Sequence, residues 1–253
     1  MITAYHRPKT LAEALTLLSQ PNTLPLGGGT LLSKHQSDPV EVVDLQSIGL
    51  DSIKKSGNNL EIGATVTLQG LLESEHCPAA LKSALKLETP LNLRSAATVA
   101  GTLVACDGRS TFAMVMLAVD AKIEQTELNN SKTETRLSNI GEFLPLRPRG
   151  LITSIIIPLN VKLAFEYVSR TPTDKPLVCA ALAQWNSGRT RLALGGYGKS
   201  PMLAMDGTEP EGLETAARNA FHEATDEWAS AEYRMDVASI LAKRCLENIH
   251  ANM

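Results

Sequence analysis

The chain has 253 residues, 43% of them hydrophobic and 20% charged, with 17 Gly, 13 Pro and a formal net charge of -3. That composition fits a soluble globular protein with a sizeable core in two or three structural units, and it excludes collagenous and disordered chains. The mildly acidic balance, without a run of Lys or Arg, gives no field to gather polyanions, so nucleic acid is not an expected partner.

An aromatic content of 4% leaves little for base stacking and predicts a core built from aliphatic side chains. The longest apolar stretch, Phe112 to Val119, is too short for a membrane span, and Met1 to Pro8 lacks the apolar centre of a signal peptide. A cytoplasmic protein is expected. Cys77, Cys106, Cys179 and Cys245 stand far apart, with no Cys-x-x-Cys pair, so no metal cluster is expected.

In chain order, Thr10 with Glu13 has capping-box spacing, and Leu11, Ala14, Leu15 and Leu18 recur on one helical face before Pro21 ends the helix. A short segment to Leu26 leads into Gly27-Gly28-Gly29-Thr30, and Leu31, Leu32 and Lys34 resume a short helix or turn. Val40 to Leu45 reads as a strand. Ile53 and Leu60 to Ala64 bracket Ser56-Gly57-Asn58-Asn59 as a hairpin, and Thr67 starts a helix. Pro78 to Leu87 predicts a helix with Leu81, Ala84 and Leu85 on its apolar face.

The small-residue segment Arg94 to Thr102 follows and is read as a loop. Ser110 to Val119 predicts a buried helix, and Ala121 to Gln125 with Thr133 to Leu137 predicts two weak strands around Asn129-Asn130-Ser131. Ile152 to Ile157 is a strand ended by Pro158. The pattern changes there, which divides the chain into 1–158 and 159–253, with a break inside the first unit near 50–65. The second unit reads as a strand (Leu163 to Ser169), a loop (Thr171 to Pro176), a hairpin (Val178 to Trp185 and Arg189 to Gly195) and two helices. The last helix carries Val237, Ile240, Leu241 and Cys245 on one face, with Arg, Lys and Glu on the other.

Consecutive glycines at 27–29 let backbone amides approach a ligand closely, and successive N–H groups suit phosphate oxygens. The spacing matches neither Gly-x-Gly-x-x-Gly nor the P-loop, and the same glycines also serve a tight turn with no ligand. Ala97 to Thr102 is a second small-residue segment, and two such loops can clamp a dinucleotide's phosphates from opposite sides; small residues also permit close packing of chain segments. His6, His35, His76, His222 and His250 show no i, i+4 pairing and no local carboxylate partner, and read as surface or packing residues. Ser110 lies outside any Gly-x-Ser-x-Gly setting and Cys106 lacks a His partner, so no hydrolase and no catalytic side chain is expected.

The two segments resemble those of the flavin-binding medium subunit of molybdenum hydroxylases, of the carbon monoxide dehydrogenase and xanthine dehydrogenase type. Tyr5-His6-Arg7-Pro8 followed by Leu11-Ala12-Glu13-Ala14-Leu15 is similar to the family's opening, and Leu26-Gly27-Gly28-Gly29-Thr30 resembles its first flavin loop. Val43-Asp44-Leu45 and Leu60 to Ala64 fall where the family has strands. Arg94 to Thr102 resembles the second loop, Arg-Asn-x-Ala-Thr-Ile-Gly-Gly-Asn. Leu151 to Pro158 is similar to the domain-closing strand, Tyr167 to Val178 to the flavin-proximal segment, and Tyr233-Arg234-Met235 with Val237 to Leu246 to the last helix.

The departures fall in the site. Ala100 and Thr102 replace a Gly and the Asn of the family's triplet, Thr111 stands where many members have Asp, and Leu31 where Asp or Glu is frequent. The resemblance implies an α+β fold: an N-terminal FAD-binding unit of two small α/β lobes at 1–158, and a C-terminal β-sheet backed by helices at 159–253. It implies non-covalent FAD, with its pyrophosphate between Gly27, Gly28, Gly29, Thr30 and Leu31 on one side and Thr98, Val99, Ala100, Gly101 and Thr102 on the other. Asp107, Thr111, Asp174 and Lys175 complete the candidate site.

Molybdopterin and iron–sulfur clusters then belong to a large and a small partner subunit, and electrons pass through FAD to an acceptor. Two rival readings stay open. One is a flavin-free or weakly flavin-binding relative acting in assembly, motivated by Ala100, Thr102, Thr111 and Leu31. The other is a free-standing FAD oxidoreductase, for which the sequence offers no acid, base or covalent-flavin His.

Overall fold

The computed structural model describes residues 1–33, 38–129 and 132–251. The expectations for Lys34, His35, Asn130 and Ser131 lie outside the described residues. The N-terminal part runs β1 (Ile2–His6), α1 (Leu11–Leu18), β2 (Thr23–Leu26) and β3 (Val40–Asp44). Both outer strands pair in parallel with β3, giving the order β1-β3-β2. Thr10 Oγ1 accepts the Glu13 N–H at 3.2 Å, and the Glu13 carboxylate accepts the Lys9 N–H at 2.8 Å, so the expected cap forms with its return bond one residue early. Ala14 and Leu15 of α1 pack on Val43 and Leu45.

Next come β4 (Ile53–Ser56), β5 (Asn59–Gly63), α2 (Leu68–Glu73), α3 (Ala79–Glu88), α4 (Leu91–Arg94), α5 (Val99–Ala105), α6 (Thr111–Ala118), β6 (Lys122–Asn129), β7 (Lys132–Asn139), α7 (Ile140–Leu146) and β8 (Leu151–Pro158). The strands form an antiparallel sheet of order β4-β5-β8-β6-β7. Three expectations change here. Arg94 to Thr102 is not a loop throughout, because Thr98 Oγ1 accepts the Gly101 N–H and starts α5. The two weak strands extend to full eight-residue strands. The core is not purely aliphatic either, since Phe112, Phe143 and Phe221 are among its largest fully buried side chains.

The remainder is β9 (Val161–Val168), β10 (Val178–Trp185), β11 (Thr190–Gly195), β12 (Met202–Gly207), α8 (Leu213–Ala220) and α9 (Ala231–Ala251), with an antiparallel sheet of order β12-β11-β10-β9. β10 and β11 are buried on both faces, which explains the apolar runs Val178 to Ala183 and Leu192 to Leu194. Cys179, Ala181, Ala183 and Ala193 join the core that includes α6, while Val178, Ala180, Leu182, Leu192 and Leu194 join the core of α8 and α9. Every residue of α6 is buried, because it lies between the two larger sheets' cores.

An ion cluster fastens the same contact. Arg191 donates to the Leu117 carbonyl at 3.2 Å and pairs with Asp120 at 3.4 Å, and Arg189 bridges Asp120 and Asp206 at 2.9 Å. Hydrogen bonding from Arg189 comes first among the causes that hold Asp206 below the usual carboxylate range, against the upward push of its burial.

On α9 the buried face is Arg234, Ala238, Leu241, Ala242, Cys245 and Ile249, while Ile240, expected inside, is exposed and Val237 is half-buried. Arg234, expected on the charged face, is fully buried. Its guanidinium donates to the carbonyls of Leu177, Ala224, Ala229 and Gly196 and to Asp226, and so pins four chain segments together. Burial works against ionisation of Asp226, but Arg234 and the amides of Trp228 and Ala229 more than offset it, leaving the carboxyl below its usual range.

Candidate functional site

Gly27 to Thr30 leaves the C-terminal end of β2, whose last residue, Leu26, pairs with Asp44. Buried Asp44 is satisfied there by Tyr5, by the Gln46 N–H at 2.9 Å and by Arg7 at 3.5 Å. The tripeptide is pressed against the second segment. A Cβ on Gly27 would lie 2.8 Å from Thr98 Oγ1, and one on Gly28 only 1.6 Å from the Ala96 carbonyl oxygen. Gly29 takes φ +69°, a conformation that disfavours other residues. Among the described residues, no backbone acceptor is bonded by the amides of Gly27, Gly28, Gly29 or Thr30. Leu31 is exposed beside them.

The second segment is committed differently. The Val99 N–H bonds the Val66 carbonyl at 2.9 Å, and the Ala100 N–H that of Ala64 at 3.3 Å. The Gly101 N–H bonds Thr98 Oγ1 at 3.2 Å, and the Thr102 N–H and hydroxyl both bond the Thr98 carbonyl, at 2.9 and 2.8 Å. Arg94 is likewise engaged, with Gln69 and the carbonyls of Lys86 and Thr89. The segment therefore presents side chains and packed backbone, rather than the open amides expected of it, toward the first loop.

The other candidates fall elsewhere. Asp107 and Lys175 meet at 3.9 Å, and Asp174 pairs with Arg170 at 3.6 Å. Arg109, from the α5–α6 connection, donates to the Lys175 carbonyl at 2.9 Å and lies over the Trp228 ring, 4.9 Å from its centroid, while Arg170 lies 4.5 Å from the same centroid. Thr111 is fully buried, its hydroxyl donating to the Ala84 carbonyl at 2.7 Å and reaching Glu88 at 3.2 Å, so it faces α3. Glu88 also accepts from Ser110 and from the Phe112 N–H at the start of α6.

Sequence reading missed Arg109, Arg147 and Trp228. Arg147, at φ +42°, donates to the carbonyls of Val104, Cys106 and Lys199 and ties the end of α5 to the β11–β12 turn. Trp228, one of two Trp in an aromatic-poor chain, carried the only available signal. The histidines also differ from expectation, since His6 meets Glu41 at 2.7 Å, and His76 and His222 contact the adjacent Glu75 and Glu223. Burial pushes the thiols of Cys77 and Cys106 up to about 12 and about 11, Arg147 partly opposing it at Cys106, and raises those of Cys179 and Cys245 further. These are neutral packing groups.

Glycines that bring bare backbone against Thr98 and Ala96, with amides that take no backbone partner among the described residues, fit an anionic ligand such as the pyrophosphate of FAD. Among the described residues, no helix is long and apolar enough to cross a membrane. The chain is 28% identical to the Escherichia coli K12 protein YgfM over 95% of itself and 94% of that protein. It is 26% identical to the carbon monoxide dehydrogenase medium chain of Afipia carboxidovorans, over 98% of itself and 96% of the relative. A solved structure of reconstituted CO dehydrogenase from Oligotropha carboxidovorans superposes with a TM-score of 0.83 at 26% identity, covering 99% of this chain and 98% of that one. The family described as the FAD binding domain in molybdopterin dehydrogenase matches residues 1–160. The chain belongs to that family, as an FAD-binding oxidoreductase subunit of the molybdenum hydroxylase type.

Proposed function

We propose that this chain takes electrons from an iron–sulfur partner subunit onto non-covalently bound FAD and hands them to an acceptor, within a cytoplasmic complex whose large subunit holds molybdopterin. The observation that carries the reading is the close seat of Gly28 on the Ala96 carbonyl, beside amides from Gly27 to Thr30 that take no backbone partner among the described residues. FAD, when bound, supplies one- and two-electron transfer. Gly27, Gly28, Gly29 and Thr30 hold the pyrophosphate through backbone N–H groups, and Thr98 closes the site from the opposite side. Ala100, Gly101 and Thr102 serve as wall. Residues 1–158 form the FAD-binding domain, 159–253 form a second domain, and Asp107, Asp174 and Lys175 lie toward the flavin ring.

A specific observation favours the flavin-free alternative: the amides of Val99 to Thr102 and the Thr102 hydroxyl are already bonded within the chain. Absorption spectra taken after incubation with FAD and gel filtration separate the two readings. Retained visible flavin bands that bleach with dithionite support the proposal. Their absence after reconstitution, in the isolated chain and in its purified complex alike, overturns it.

A further inference from the structure

Residues 169–177 join β9 to β10 and carry Asp174 and Lys175. Within this loop the Asp174 N–H and the Ser169 hydroxyl both bond the Thr171 carbonyl, at 3.2 and 2.8 Å. The middle of the loop is held from outside at Arg109. Its guanidinium donates to the Lys175 carbonyl at 2.9 Å and lies 4.9 Å from the centroid of the Trp228 ring, which also carries Arg170 at 4.5 Å. Asp107 meets Lys175 at 3.9 Å, and Arg234 holds the loop's last residue by the Leu177 carbonyl.

Arg109 stands on a fixed base. Gly108 bonds Gly196 and Gly198 through the backbone at 2.7 and 2.9 Å, so closely that a Cβ there would lie 1.8 Å from the Tyr197 carbonyl oxygen, and the Ser110 hydroxyl donates to Glu88 at 2.9 Å. The Arg109 Nε is buried without a hydrogen-bond partner, a cost that a side chain serving to fill space does not carry. The seven residues of α5 lead from Thr98, which faces Gly27, toward this base over about 10 Å. The ribityl chain of FAD makes a span of that order between pyrophosphate and ring. We propose that Arg109 is a positioning residue for the flavin ring, holding the 169–177 loop through the Lys175 carbonyl and the Trp228 ring so that Asp174 and Lys175 keep their places. The assignment rests on the FAD placement proposed above and adds a residue that acts on the ring through the loop.

The test uses the full-length chain loaded with FAD. Its readouts are the visible circular dichroism of the flavin bands, which reports the ring's asymmetric surroundings, and the flavin's reduction potential. Arg109→Gln should lose most of the flavin dichroism and shift the potential, while the FAD dissociation constant, set at Gly27 to Thr30, weakens by less than about tenfold. Amide exchange at Asp174 should speed up by about tenfold, the worth of one hydrogen bond. Trp228→Leu, at a partly exposed ring, should move the same signals and serves if Arg109→Gln loses its native far-ultraviolet dichroism. Trp228→Phe, which keeps an aromatic face, should stay near the native signals. A folded Arg109→Gln or Trp228→Leu chain with native flavin dichroism and potential overturns the positioning role alone, even where Asp174 exchanges faster. Failure of the native chain and its complex to bind FAD overturns the placement itself, and the positioning role with it.

Discussion

The two small-residue segments look alike in sequence and do different physical work. At Gly27 to Thr30 the missing side chains let backbone lie against backbone, and the amides take no backbone partner among the described residues. At Val99 to Thr102 the amides are bonded to Ala64, Val66 and Thr98, so small residues there let a helix start close to a neighbouring chain segment. One segment offers its backbone and the other spends it. The difference also explains Ala100: its N–H serves a helix start, which needs no glycine.

Breaking the first segment should have the largest effect. Gly28→Ala places a methyl 1.6 Å from the Ala96 carbonyl oxygen, where only backbone displacement relieves the overlap. A loss of about 1–3 kcal/mol or more in stability is expected, and FAD should no longer survive gel filtration, as denaturant titration and the absorption spectrum will read. Gly29→Ala comes next. Its Cβ would meet nothing closer than 3.5 Å, so the cost is the φ of +69° alone, about 1–2 kcal/mol. That strain is present with and without ligand, so stability should fall while the FAD dissociation constant changes less than about threefold. Gly29→Asn should recover part of the stability.

How much of this was legible follows the range of the interactions. The Thr10 cap, the hairpin turned at Gly57 and the buried helix from Ser110 depend on neighbours within a few residues, and the sequence shows them. β1, β2 and β12 are short edge strands, β1 pairing with a strand more than thirty residues on, and α4 and α7 are too short to show a period. The bonding of the second segment was not legible because its acceptors, Ala64 and Val66, lie some thirty residues upstream. Thr111 looked available because its burial depends on Glu88 and Ala84 of α3. Arg234 looked like a surface charge because the carbonyls that satisfy it come from three separate connections, β9–β10, β11–β12 and α8–α9.

Thr98 joins the two segments, and its substitution sharpens the comparison at intermediate size. Thr98→Val keeps the shape facing Gly27 but removes the oxygen that accepts the Gly101 N–H. About 1 kcal/mol of stability should go with the cap, or roughly 2–4 °C in the melting midpoint of a chain this long. Thr98→Ser should retain the cap and stay within about a third of that change. A loss in the Ser variant with none in the Val variant would mean that packing against Gly27, not the hydrogen bond, is what Thr98 contributes.

The smallest effect is expected where resemblance alone points to the largest. Ala100→Gly with Thr102→Asn restores the family's Gly-Gly-Asn triplet, yet the Ala100 N–H already bonds Ala64 and the Thr102 hydroxyl already bonds Thr98. The double variant should lose about 0.5–1 kcal/mol of helix stability from the added glycine. Its FAD dissociation constant should stay within about threefold of the native one. Calorimetric titration with FAD reads the affinity directly. A gain of about a hundredfold, close to 3 kcal/mol, would mean that the second segment limits phosphate binding after all. The native chain would then be the weak or flavin-free relative, and the division of labour between the two segments would fail with it.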